Sequence, residues 1–249
     1  MSLKIENVDV HGWEAAIRGA RNPMNSWGKS DTVTGCDVNN CPSCSYSPEW
    51  CGNTPVILIG PNDHRLLENL CKGGSEESKW RRFVTVSMDL TAPLYWWKEF
   101  DTYKVGTACN SCSTMHKIHA KEFTIEDFSC EHLSWGPEHD GTETTLFTKD
   151  GDDYDSEVVF PMAVMKDIID VLNHNRQKFI ETKDKKYWWQ MIQLLPTSYN
   201  QRRTISLNYE VLAKQYRERK NHKLDEWHTY CDWIKTLPYS ELITMEEKE

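Results

Sequence analysis

The chain has 249 residues, 39% of them hydrophobic, with 11 tryptophans and a formal net charge of −9 at pH 7. That aromatic content excludes a disordered chain, and the acidic balance argues against general nucleic-acid binding, which needs a basic surface. No run approaches the roughly 18 apolar residues of a membrane span, and the start "MSLKIENVDV" lacks an apolar leader, so a cytoplasmic protein without membrane contact is expected.

Residues 10–27, "VHGWEAAIRGARNPMNSW", are expected to begin as a helix and end in a turn near Asn22-Pro23. Residues 28–55 read as a Cys-rich insertion. Cys36, Cys41, Cys44 and Cys51 are spaced C-x4-C-x2-C-x6-C. Thiolates hold zinc tetrahedrally, and a CPxC turn presents two of them from one short loop. An insertion without an apolar core gains order from such a metal. Unbound thiols, or an iron–sulfur cluster, are the alternatives. Nine cysteines is an odd count, which suits free thiols in a reducing compartment better than a disulfide framework.

"PNDHRLLENLCKGG" predicts a helix capped by Asn62 or Asp63, with Leu66, Leu67, Leu70 and Cys71 on one face and Gly73 at its end. "FVTVSMDLTAP" alternates: Val84, Val86, Met88 and Leu90 point one way, Thr85, Ser87 and Asp89 the other. This predicts a half-buried strand stopped by Pro93. "LYWWKEFDTY" resumes as a helix with more apolar surface than one strand covers. The polar stretch "TYKVGTACNSCSTMHKI" follows, with Cys109 and Cys112 in a CxxC. A redox CxxC opens a helix after a strand; here an aromatic helix precedes it, and chance spacing in a Cys-rich chain is the plainer reading.

Residues 119–157 are acidic and Gly-rich and read as an excursion. Met162, Met165, Ile168, Ile169 and Leu172 then follow helical spacing. "YWWQMIQLLP", "TISLNYEVLAKQYRERK" and "LDEWHTYCDWIKTL" predict three more helices, the last burying Trp227, Tyr230, Cys231 and Ile234. Strands early and a helical layer late predict an α+β fold. The pairs Trp96-Trp97 and Trp188-Trp189 read as packing, with a stacking surface for a flat ring as the alternative. Basic groups recur near helix ends: Arg18 and Arg21; Lys79, Arg81 and Arg82; Lys104; His116 and Lys117; Arg202 and Arg203; Arg217 and Arg219. They make a phosphate site only where they converge in space.

Taken in order, these elements resemble the flavin-dependent thymidylate synthases (ThyX, thymidylate synthase complementing proteins). The family's A-x-R-x-A-R segment is "AIRGAR" here, residues 16–21. Its strand ending in Ala-Pro is matched by Ala92-Pro93, followed by a short helix and a polar loop. Its Leu-Pro is Leu195-Pro196; Asn208 lies twelve residues past the proline and Arg219 eleven further on, as in the family. The resemblance covers residues 15–27, 62–118 and 194–234. It departs in the polar loop: the family's Arg-His-Arg falls at Thr102-Tyr103-Lys104 or Tyr103-Lys104-Val105. Of its Ser-x-Asn-Glu-x-Ser only Asn110 and Ser113 remain, and the arginine beyond is Met115, beside His116 and Lys117. A family glutamine is Glu99, and a family arginine is Glu210.

The resemblance implies a twisted antiparallel sheet flanked by helices, residues 1–249 as one domain, and a homotetramer. It implies methylation of deoxyuridine monophosphate (dUMP), or a related one-carbon transfer, with FAD as cofactor. By the same resemblance Arg219 is the catalytic arginine, and Glu99, Ser113, His116 and Lys117 join it in binding the nucleotide. Tyr103, Lys104, Asn110 and Asn208 would hold flavin. The alternative is a non-catalytic nucleotide-binding or interaction protein on the same scaffold, with the polar loop rewritten. Asn208 and Arg219 are about three helical turns apart, so both are expected on one helix face, lining a pocket with residues 102–117. For the insertion the expected outcome is one equivalent of zinc per chain in metal analysis of protein purified without added zinc; four freely reactive thiols and no metal would refute it.

Overall fold

The computed structural model describes residues 3–34, 57–135, 144–150 and 153–245. Strand β1 (Lys4–His11) opens the chain, with Asn7 at φ 52° in a register shift between Glu6 and Asp9. Gly12, at φ 95°, turns the chain into α1 (Trp13–Arg21); a Cβ there would stand 1.9 Å from the Phe83 carbonyl oxygen. Helix α1 therefore begins three residues later than expected, because Val10 and His11 pair in the sheet with Val86 and Thr85.

Short strands β2 (Val33–Thr34) and β3 (Ile57–Leu58) pair with each other. Cys36, Cys41, Cys44 and Cys51 lie outside the described residues. Helix α2 (Pro61–Lys72) ends at Gly73 as expected, but its N-cap is Gly60 and not Asn62 or Asp63. Asp63 is drawn inward instead and is fully buried against the guanidinium of Arg21 at the end of α1.

A 3-10 turn (Lys79–Arg82) leads into β4 (Thr85–Pro93), where Val86, Met88 and Leu90 are buried in the predicted alternation. Helix α3 (Leu94–Phe100) follows without a break. Its apolar face needs no neighbouring subunit: Trp96, Trp97 and Phe100 are each at most 1% exposed. The Trp96 ring lies 4.7 Å from Trp227 and 5.6 Å from Tyr230 of the same chain.

Then come β5 (Thr107–Ser111), the one-turn α4 (Thr114–Lys117), and the hairpin of β6 (Thr144–Asp150) and β7 (Asp153–Val159). Within 119–157, Phe123 and Phe128 are buried in a second core with Met162, Met165, Ile169 and Leu172 of α5 (Pro161–Thr182) and Met191 of α6 (Lys185–Leu194).

The stretch expected as one helix from residue 204 divides in two. Residues Asn200–Asn208 form β8, and α7 (Tyr209–Arg219) begins only after it. Ile205 and Leu207 are buried while Arg202 and Thr204 face outward, which is strand periodicity over too few residues to outweigh the helical run behind it. Helices α8 (Asp225–Lys235) and α9 (Glu241–Thr244) end the fold. The main sheet is antiparallel throughout, in the order β1-β4-β8-β5, with the large core against one face. No described helix is long and apolar enough to cross a membrane.

The Arg21–Asp63 pair ties α1 to α2. Arg21 Nε donates to Asp63 at 2.6 Å, and the other carboxylate oxygen accepts from the Ser30 and Thr32 hydroxyls and the Asp31 and Thr32 amides. Burial pushes this carboxyl up, but the hydrogen bonds from Ser30, Thr32 and Arg21 outweigh it and hold it below its ordinary value. Its contribution to stability is present above the unfolded-state pKa and is lost as pH falls through the lower folded-state value. Replacing Asp63 by Ala strands a buried arginine, and the expected loss is about 3–5 kcal/mol in denaturant titrations at neutral pH.

Candidate functional site: a cationic cavity beside α7

The site forms where β5 starts and β8 ends. Thr107 pairs with Leu207, so the next residues, Gly106 and Asn208, stand side by side. Gly106 is at φ 79°, and a Cβ on it would meet Asn208 Nδ2 and Val211 Cγ2 at 3.1 Å each. Asn208 is the N-cap of α7: its backbone stays extended and its Oδ1 accepts from the Val211 amide at 3.1 Å. Its Nδ2 is left facing the Gly106 turn.

A cavity of about 500 Å³ opens there, within the usual range for a small-ligand site. The turn after α3 supplies Tyr103 and Lys104; α7 supplies Glu210, Lys214 and Arg217; the 3-10 turn before β4 supplies Arg82. Glu210, Lys214 and Arg217 share one face of α7 at spacings of four and three residues. Four cations thus face one carboxylate. Arg82 has an exposed partner at 3.9 Å, Glu76, and Lys214 stands 5.7 Å over the Tyr103 ring. Lys104 and Arg217 have no ion pair among the described residues. Such a lining concentrates positive potential in a concave space and suits phosphate oxygens.

Tyr103 separates this cavity from a second cluster. Its hydroxyl donates to Glu218 at 2.8 Å and accepts from Arg219 Nε at 2.9 Å; burial holds it above its ordinary pKa, against the pull of Arg219. Arg219 Nη1 donates to Glu99 at 2.8 Å, and its guanidinium lies 4.9 Å over the Trp227 ring. Glu99 also accepts from Trp227 Nε1 at 3.1 Å and meets His222 Nε2 at 3.2 Å. His222 Nδ1 accepts from the Leu224 amide, so the ring proton of the neutral imidazole sits on Nε2, toward Glu99.

The structure therefore brings Tyr103, Lys104 and Asn208 together in one cavity, and puts Arg219 with Glu99 on the far side of Tyr103, outside that lining. Of the two residues expected to line one pocket, Asn208 lines the cavity as the N-cap of α7, and Arg219, the last residue of that helix, does not. Asn110 is exposed on β5, the edge strand. Ser113 caps α4 by accepting from the His116 amide; His116 and Lys117 are exposed on that turn, and none of the three lines the cavity.

Arg202 and Arg203 are engaged elsewhere. Arg202 pairs with Asp89 at 2.8 Å, and Arg203 pairs with Asp101 and stacks 4.2 Å over Trp97. Trp96 and Trp97 are core residues and offer no stacking surface. Cys109 and Cys112 are exposed thiols on and just past β5, ahead of the Ser113 cap and not at a helix start. Among the described residues no group of three His, Cys, Asp or Glu side chains is placed to hold a metal ion. Sequence reasoning passed over Lys214; its spacing from Glu210 and Arg217 was the available signal.

No protein-family model and no curated protein sequence matches this chain. Solved structures do. The flavin-dependent thymidylate synthase ThyX of Helicobacter pylori, complexed with FAD and dUMP, superposes with a TM-score of 0.57 at 14% identity, over 99% of this chain and 98% of that one. The chain has the flavin-dependent thymidylate synthase fold. The UMP/dUMP methylase PolB of Streptomyces cacaoi shares it, bound with 5-Br UMP (TM-score 0.55, 12% identity, 98% and 96% covered) and with 5-Br dUMP (0.56, 13%, 98% and 96%). At this identity the thymidylate synthase fold is shared, and the chemistry has to be argued from this chain's own side chains.

Gly106 gives a direct check on the cavity wall. Its replacement by Ala forces a left-handed residue that costs roughly 1–2 kcal/mol and pushes on the Asn208 cap. The expected outcome is an unfolding free energy lowered by that amount in urea titration, with other surface glycines such as Gly28, where nothing lies within 4 Å of an added Cβ, tolerant.

Proposed function

We propose that the cavity beside α7 binds phosphorylated nucleotides and that the chain is a flavin-dependent thymidylate synthase-like enzyme, transferring one carbon to a pyrimidine nucleotide. The observation that carries this reading is the convergence of Arg82, Lys104, Lys214 and Arg217 on one cavity of about 500 Å³ in this fold. The solved relatives hold FAD and dUMP, or uridine nucleotides, and both classes of ligand are anionic.

In this reading Lys214 and Arg217 hold phosphate, Lys104 and Arg82 add charge at the rim, and the Tyr103 ring and Asn208 bound the flat part of the ligand. Reduced flavin, when bound, supplies the hydride. Arg219 is held rigid by Glu99, Tyr103 and Trp227, and its Nη2 has no hydrogen-bond partner among the described residues. The Glu210 side chain, which stands where the family resemblance has an arginine, lies 3.8 Å from Arg81 Nη1. Assembly as a homotetramer belongs to the same proposal and is read by light scattering at micromolar concentration.

A second reading, a nucleotide-binding protein without methyl transfer, draws on one specific observation: Ser113, His116 and Lys117 are exposed and apart from the cavity. Calorimetric titration with FAD and with dUMP, followed by an assay for dTMP formation with methylenetetrahydrofolate, separates the two. The expected result is binding of both, with Arg217→Ala weakening the phosphate ligand by about 1.5–3 kcal/mol, the range for a hydrogen bond to a charged group. Binding without dTMP selects the second reading; no binding to the parent protein refutes both.

A further inference from the structure

A second cavity of about 180 Å³ adjoins the first, and the two share Ser75, Glu210 and Arg217 in their linings. Glu210 stands at the junction. Its Oε2 is closed to bulk solvent and has no hydrogen-bond partner. Arg81, its counter-charge, is too far for a hydrogen bond, with Nη1 at 3.8 Å, and directs Nε and Nη2 to the Leu242 carbonyl. The Glu210 side chain is 23% exposed, so one edge of the carboxylate remains open toward the cavities. Oε2 faces Arg81, and no described group donates to the other oxygen, Oε1, which is the acceptor a ligand in the cavities can reach.

We propose that Glu210 reads the vicinal diol of a ribose whose phosphate is held by Lys214 and Arg217. The inference rests on the reading of the large cavity as a nucleotide site. Two adjacent hydroxyls donate to one carboxylate, as acidic residues do to ribose in dinucleotide-binding folds. The geometry suits this ligand: Lys214 and Arg217 follow Glu210 by four and seven residues, about 6 and 10 Å along the helix axis, so diol and phosphate meet acceptor and cations in line on one face. Other donors fit poorly. An amine would be repelled by the four cations around it. A metal ion would find a single carboxylate, and no group of three ligands exists among the described residues. A family arginine at this position could only donate, so Glu210 reverses the site from reading an acceptor to reading a donor.

The diol can belong to the adenosine of FAD or to a ribonucleotide substrate, and the test separates them. Affinities of ADP against 2′-deoxy-ADP, and of UMP against dUMP, are measured for the wild-type chain and for Glu210→Gln, with melting curves to confirm folding. The expected result is a preference of about tenfold for the ribose form in at least one pair, the loss of one charged hydrogen bond. Glu210→Gln brings the ratio of ribose to deoxyribose affinity to about one, on top of any uniform gain that both forms take from the lost negative charge. A preference in the ADP pair assigns the diol to the cofactor, and one in the UMP pair to the substrate. Equal binding of ribose and deoxyribose forms by the wild type overturns the inference and leaves the nucleotide site standing; this comparison needs no variant to fold. A preference that survives Glu210→Gln also overturns it. Failure to bind any of the four ligands overturns the reading on which it rests.

Discussion

The β4–β8 ladder is the constraint on which the site depends. It runs from Thr85 opposite Asn208 to Pro93 opposite Asn200, nine residue pairs in unbroken register. The strands are antiparallel, so α3 leaves one end of the sheet and α7 the other. The turn after α3 then returns as β5 along the far edge of β8, and the Thr107–Leu207 pair sets Gly106 against Asn208. A slip of one residue would carry Ile205 and Leu207 out of the core and turn Arg202 and Thr204 inward, a cost that pins the register. The cavity wall is thus fixed by the hydrophobic burial of the β4–β8 pair.

Within that frame, charges divide by partner. The arginines on β8 are bound on the sheet: Arg202 by Asp89 and Arg203 by Asp101 and Trp97. Asp89 also accepts from Thr204 and Asn7, and these hydrogen bonds hold its carboxyl well below the usual carboxylate range. Arg21 and Arg81 are buried, one against Asp63 and one against the Leu242 carbonyl. The cations of the α7 face and its surroundings, in contrast, face concave space. Local convergence in this way reconciles an acidic chain with an anionic ligand, because field lines are focused in the cavity while the remaining surface carries the negative excess.

Much of this fold was legible in the sequence where burial is one-sided and the segment long. The alternation from Val84 to Leu90 and the helical spacing from Met162 to Leu172 both correspond to buried stripes. The edge strand β1 was not legible, because its apolar positions are broken by the shift at Asn7. Strand β8 carries Arg202 and Arg203 before its two buried apolar residues, Ile205 and Leu207, so local polarity masked it. The site was legible only in part. Asn208 and Tyr103 were singled out by order and spacing, but the engagement of Arg219 by Glu99 joins residues 120 apart, and such a contact leaves no local pattern. Lys214 was hidden for a different reason: its spacing from Glu210 and Arg217 marks a shared helix face, but only the opposing wall of the cavity makes that face a site.

The central claim is that the space between the Gly106 turn and α7 is a nucleotide site. A crystal structure of the chain grown with FAD and dUMP tests it most directly. The account predicts phosphate density within hydrogen-bonding distance of Lys214 and Arg217, with the ligand against Tyr103. Ligand bound elsewhere, with Lys104, Lys214 and Arg217 all facing solvent, would contradict it.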